Sequence, residues 1–101
     1  MVDNGIADVR TIWQVEVRIL PKQGVNDPQG DAVQTGLHAL GFGEAGSVRV
    51  GKLLLVDVTA PDAATAEDAT RRMCDRLLAN PVIESYEVRV ISEIASGVGD
   101  G

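Results

Sequence analysis

One histidine, His38, and one cysteine, Cys74, stand alone in their types, and most familiar site chemistry fails on that count. A Ser-His-Asp or Cys-His nucleophile needs a base within hydrogen-bond reach. His38 follows Leu37 but lies off the Val33/Leu37/Leu40 stripe, so it reads as a surface or flanking residue. Cys74, beside Met73, reads as a small core or boundary residue. Only coincidental packing would bring the two together. One Cys and one His do not fill a structural zinc site, and no paired ligand spacing occurs. The sequence contains neither GxxxxGK[ST] nor GxGxxG. Gly41-Phe42-Gly43 with Gly46 is glycine-rich but follows a helical pattern, so it reads as a helix exit and connector. No catalytic, cofactor-binding or metal-ligating residue is expected.

The one unusual segment is Pro21-Lys22-Gln23-Gly24-Val25-Asn26-Asp27-Pro28-Gln29-Gly30. Aspartate suits a helix N-cap, where its carboxylate accepts backbone N–H bonds. Proline suits the first helical position, which needs no N–H donor. Those two facts account for Asp27 and Pro28, but not for Gly30 in a first turn, where glycine is a poor helix former. A second reading sets an anion at the helix N-terminus with Lys22 beside it.

The elements that must position these residues follow from pattern. Ile12 to Leu20 alternates strictly, with Trp13, Val15, Val17 and Ile19 on one face and Gln14, Glu16 and Arg18 on the other, which predicts a half-buried strand stopped by Pro21. A helix follows from Asp27-Pro28, with Val33, Leu37 and Leu40 on one face and Gly41 as its stop. Gly36 inside it implies close approach of this helix to a sheet. Ser47 to Val50 and Leu53 to Thr59 read as two strands joined by a two-residue Gly51-Lys52 turn. Asp62 to Asn80 reads as a second helix with Ala66, Ala69, Met73 and Leu77 as its apolar stripe; Glu67/Arg71 and Asp68/Arg72 are i,i+4 pairs on its wet face. Asn80-Pro81 ends it, and Val82 to Ile91 is a last strand with Tyr86, Val88 and Val90 on one face. The order β-α-β-β-α-β predicts an α+β, ferredoxin-like fold: a four-stranded antiparallel sheet with both helices on one face.

A chain of 101 residues suits a single domain, with an ordered core expected over about residues 10–92. Met1 to Val9 is expected to form a loose arm, and Ser96 to Gly101, with three glycines, a loose tail. The net charge of −6 argues against nucleic acid or an anionic membrane as partner. One cysteine allows no internal disulfide, no apolar run approaches the ~20 residues that span a bilayer, and Met1 to Asp8 lacks a signal-peptide layout. A cytoplasmic protein is the expectation.

The predicted fold leaves one sheet face without helices. It would carry Ile12, Gln14, Glu16 and Arg18, then Leu53 and Leu55, then Ile83, Glu87, Arg89 and Ile91. Apolar residues on an open face suggest a protein contact, with Leu53, Leu55, Ile83 and Ile91 as the self-association face of a dimer or tetramer. Scattered surface leucines are the alternative.

Pro21-Lys22-x-Gly24-Val25-x-Asp27-Pro28-Gln29-Gly30 resembles the signature of the PurS family, the small subunit of phosphoribosylformylglycinamidine synthase. Similarity continues through Leu37 to Gly41, Val48 to Lys52, and Cys74 through Asn80-Pro81-Val82-Ile83-Glu84 to Tyr86, covering about residues 12–91. The resemblance implies a non-catalytic subunit of an ATP-dependent, glutamine-using ligase of purine (IMP) biosynthesis. The complex uses ATP, magnesium and glutamine, none bound by this subunit. The implied partners are a glutaminase subunit, a synthetase subunit and further copies of the chain; the implied role is to bridge the first two and support ammonia transfer. Pro21, Lys22, Gly24, Val25, Asp27, Pro28, Gln29, Gly30, Gly51 and Lys52 become candidate partner-contact or structural residues. Two other readings stay open. Amino-acid-sensing ferredoxin-like dimers bind small ligands near the first strand-to-helix loop. A small dimeric enzyme would need a titratable cluster on the open face, where Glu16, Arg18, Glu87 and Arg89 more simply pair across strands.

Overall fold

The computed structural model describes residues 11–96. The expectations of a loose arm over Met1–Val9 and a loose tail fall outside the described residues, except for Ser96, which closes the last strand. Strand β1 (Thr11–Pro21) leads to helix α1 (Pro28–Ala39), strand β2 (Lys52–Ala60), helix α2 (Ala63–Met73) and, after a π-helical turn at Cys74–Leu78, strand β3 (Glu84–Ser96). The strands form one antiparallel sheet in the order β2-β1-β3.

Alternation in β1 does what its pattern requires. Val15, Val17 and Ile19 are sealed under the helix side of the sheet, with Val58, Ala60 and Val88 beside them. Ala66 and Thr70 of α2 and Cys74 at the start of the π-helical turn face this layer, all three without solvent exposure. The buried stripe is therefore 66/70/74. The predicted stripe was 66/69/73/77, and Leu77 is 82% exposed. Thr70 was hidden by its hydroxyl; that hydroxyl donates to the Ala66 carbonyl at 2.8 Å, one turn back, so it enters the core satisfied.

The expected ferredoxin-like four-stranded sheet is corrected to three strands, with only α2 laid on it. Ser47–Val50 does not form a strand, because its backbone is engaged elsewhere. The Val50 N–H donates to Asp27 Oδ2 at 3.0 Å. The Val48 carbonyl lies against Gly30, where a Cβ would come within 2.1 Å of it. Gly51-Lys52 is not a hairpin turn either. Gly51 does not take a positive φ, unlike Gly24 and Gly41, and a Cβ there would sit 2.1 Å from the Ile19 carbonyl. Its glycine serves close backbone approach, and Lys52 opens β2 opposite Ile19.

Helix α1 departs further from expectation. Among the described residues no strand and no other helix packs extensively against it, and Gly30 is its one buried residue. Val33 is 45% exposed and Leu40 76%. Gly36, predicted to permit approach to the sheet, has nothing within 4 Å of where a Cβ would stand, although glycine there costs the helix about 1 kcal/mol against alanine.

Strand β3 runs further than the predicted Ile91. Two register shifts along β1 leave Ile91 and Ile94 outside the pairing, an irregularity that alternation alone does not reveal. Truncating Ile19, the largest fully buried side chain, to alanine should cost about 2–5 kcal/mol, measured by urea unfolding; a loss under ~1 kcal/mol would contradict the core described here.

Candidate functional site

The Pro21–Gly30 segment and the 47–51 segment that returns to β2 meet at Asp27. Asp27 caps α1: its Oδ1 accepts from the Gly30 N–H at 3.0 Å, and its Oδ2 accepts from the Val50 N–H at 3.0 Å. One carboxylate thus satisfies a helix-terminal donor and a donor 23 residues along the chain. These bonds, Gly30 first and Val50 second, hold its carboxyl below the usual aspartate range. Gly30 resolves the residue left unexplained by the helix start: Asp27 and the Val48 carbonyl occupy the space of any side chain there.

The rest of the loop braces this clasp. Gly24 takes φ +84° within a turn in which the Val25 N–H donates to the Lys22 carbonyl at 3.1 Å. Lys22 uses its backbone N–H on the Ile83 carbonyl and its Nζ on the Pro81 carbonyl at 2.7 Å. Arg49 Nη1 donates to the Pro21 carbonyl at 3.0 Å. Val25 is half-buried, and Pro28 and Gln29 are exposed. A depression of about 230 Å³ is lined by this loop and by Asp27, Asp31 and Arg49. It is not an anion site of the kind the helix N-terminus suggested: Asp27's own carboxylate fills that position and Lys22 is turned to Pro81.

The face of the sheet opposite α2 carries a second cluster. Glu16 accepts from Arg18 Nε at 2.9 Å and from Arg89 Nη2 at 3.1 Å. Its side chain is only 10% exposed although no helix covers it. Those bonds, Arg18 first, hold its carboxyl below the ordinary glutamate range. Arg18 stands opposite Glu87 and Glu16 opposite Arg89 in the β1/β3 register. The four residues line a shallow depression of about 260 Å³, but each oxygen of Glu16 already accepts a bond, one from Arg18 of its own strand and one across the strands from Arg89. Leu53 and Leu55 flank it from β2, 58% and 54% exposed, opposite Arg18 and Glu16. Ile83 is exposed but lies in the turn before β3, off the sheet, and Ile91 sits at a register shift.

The two candidate nucleophile partners are placed apart. His38 Nε2 donates to the Ala45 carbonyl at 2.7 Å, on a helix against which no other described element packs extensively. Cys74 is buried in the core, and that burial, with Asp75 nearby, pushes its thiol pKa up. Among the described residues no three His, Cys, Asp or Glu side chains converge on a common point. No helix among them is long and apolar enough to cross a membrane.

Because the Asp27 carboxyl is depressed in the folded chain, its stabilisation is complete above the ordinary aspartate range and is lost as pH falls through the lowered value. Asp27→Asn keeps one acceptor oxygen and so loses one of the two bonds. The variant should melt lower than the parent at neutral pH, with the gap closing as pH falls below the ordinary aspartate range and through the lowered value. Thermal unfolding followed by circular dichroism across that range checks it; a pH-independent gap would contradict the clasp.

The comparisons with known proteins agree with one another. The family model described as "PurS: Phosphoribosylformylglycinamidine (FGAM) synthase" matches residues 14–92. The phosphoribosylformylglycinamidine synthase subunit PurS of Synechocystis sp. is 43% identical over 74 residues, 73% of this chain and 74% of that protein. Its Bacillus subtilis counterpart is 37% identical over 84 residues, 83% of this chain and 99% of that protein. Among solved structures, a chain of PurLQS from Thermotoga maritima superposes with a TM-score of 0.73 at 28% identity, covering 79% of this chain and 98% of that one. With the family pattern spanning all three strands and both helices, the chain belongs to the PurS family of phosphoribosylformylglycinamidine synthase subunits.

Proposed function

We propose that this chain is the non-catalytic small subunit of a phosphoribosylformylglycinamidine synthase complex in purine biosynthesis, bridging a glutaminase subunit and a synthetase subunit and supporting ammonia transfer between them. Membership of the family carries the reading: the relatives are named as subunits, and a similar chain occurs in PurLQS. The residue chemistry supports it. Asp27, Lys22, Arg49 and Glu16 line shallow depressions, but each spends its polar atoms on another part of this chain by a hydrogen bond given above. On this reading the complex uses ATP, magnesium and glutamine on its other subunits, in the cytoplasm, and Lys22 and the exposed Gln29 and Lys52 are available as partner contacts.

Self-association belongs to the same reading. The face bearing Leu53 and Leu55 also bears Glu16, Glu87, Arg18 and Arg89, two charges of each sign. In a chain of net charge −6 that balance lets two copies approach face to face without repulsion. Glu16, held by both arginines, brings its countercharges with it into such a contact.

Reconstitution tests the function. With the purified glutaminase and synthetase, adding this chain should raise glutamine-dependent synthesis well above the two-subunit background while leaving ammonia-dependent synthesis nearly unchanged. Equal glutamine-dependent rates with and without it would refute the proposal.

A further inference from the structure

We infer that the charged cluster on the open face of the sheet binds the zwitterionic end of an α-amino acid, its carboxylate on Arg18 and Arg89 and its ammonium on Glu87. Glu16 forms the base of the site. It is buried although no helix covers it, and it accepts from Arg18 Nε at 2.9 Å and from Arg89 Nη2 at 3.1 Å. One carboxylate thus draws together two guanidiniums from neighbouring strands. The three side chains, one negative and two positive, leave a surplus of positive charge in a chain of net charge −6.

Arginine carries several N–H donors in a planar fork, and each of these two gives one of them to Glu16. The other donors stand on side chains that are 59% and 69% exposed, at the depression the four residues line. Such forks suit a carboxylate, with which arginine makes paired, charge-assisted bonds. Because Glu16 already fixes both guanidiniums, less side-chain freedom is lost when an anion arrives. Glu87 lies opposite Arg18 in the register and is exposed. Among the described residues it forms no ion pair with either arginine.

A pair of cationic forks beside a lone carboxylate matches a solute whose anion and cation are close neighbours. An α-amino acid has that form, with one carbon between its carboxylate and its ammonium. A phosphate ester fits worse, since Glu87 repels its second negative charge. Leu53 and Leu55 stand opposite Arg18 and Glu16 on β2, 58% and 54% exposed, and offer an apolar edge that favours an uncharged side chain. The site lies on the sheet, away from the Asp27 loop, and does not rest on the bridging role. A second copy seated on this face would cover it, so the test includes a variant that weakens that contact.

The full chain and its Leu53→Ser/Leu55→Ser variant, both isotope-labelled, are titrated with L-glutamine at constant ionic strength and followed by amide NMR shifts. Amides of residues 16–18 and 87–89 should move saturably, with a Kd of about 1–10 mM, in at least one of the two chains. Acetate and methylammonium, the two halves of the ligand, should each bind at least ~10-fold more weakly. Arg89→Gln should weaken glutamine binding several-fold, and Glu87→Gln should bring it down to that of acetate. Amide spectra that otherwise match the parent's show that these variants fold. No saturable shift in either chain up to about 50 mM glutamine, or acetate binding as tightly as glutamine, would overturn the site. Unchanged glutamine affinity in Glu87→Gln would overturn it as well. None of these readouts involves synthesis by the complex, so the bridging role fails or survives separately.

Discussion

Two hydrogen bonds to the carboxylate of Asp27 set the shape of this protein. One closes the first turn of α1; the other captures the returning segment at Val50. Together they fix a projecting arm at the end of a three-stranded sheet. Glycines at 30 and 51 exist where backbone must touch backbone, and Lys22 and Arg49 brace the loop on carbonyls of Pro81 and Pro21. The residues that look most like a site in the sequence are therefore occupied in holding the arm in position. What the arm presents outward is mixed: Val33 and Leu40 stand exposed beside Gln29, Asp31 and His38.

The proposed role as a subunit that works by contact agrees with how the polar side chains are spent. Its histidine donates to a neighbouring carbonyl, its cysteine is buried and hard to ionise, and its best-engaged glutamate is saturated by two arginines. What remains available are surfaces: a charge-balanced sheet face with two leucines, an uncovered helix, and a loop studded with exposed polar residues.

Much of this was legible before the structure. Period-2 alternation placed β1 and its buried face correctly, because a two-fold pattern has one physical solution when half the residues are apolar. The Asp27-Pro28 cap was readable for the same reason. The failures share a cause. Ser47–Val50 looks like a strand, and Val33/Leu37/Leu40 looks like a core stripe, because local pattern reports that a residue wants cover without saying from where. The side-chain bond from Asp27 to Val50 spans 23 residues and leaves no local trace, yet it decides where the helix and that segment go. The 66/70/74 stripe was missed because Thr70 counts as polar until its hydroxyl is seen to bond one turn back. The bulges at Ile91 and Ile94 depend on pairing with β1, which no single strand encodes.

Sedimentation velocity on the mixed glutaminase and synthetase, with and without this chain, examines the bridging claim at its centre. The account predicts one boundary containing all three proteins when the chain is present, and separate boundaries for the other two when it is omitted. A glutaminase–synthetase species that forms equally well in its absence, or a chain that sediments apart from both, would contradict it.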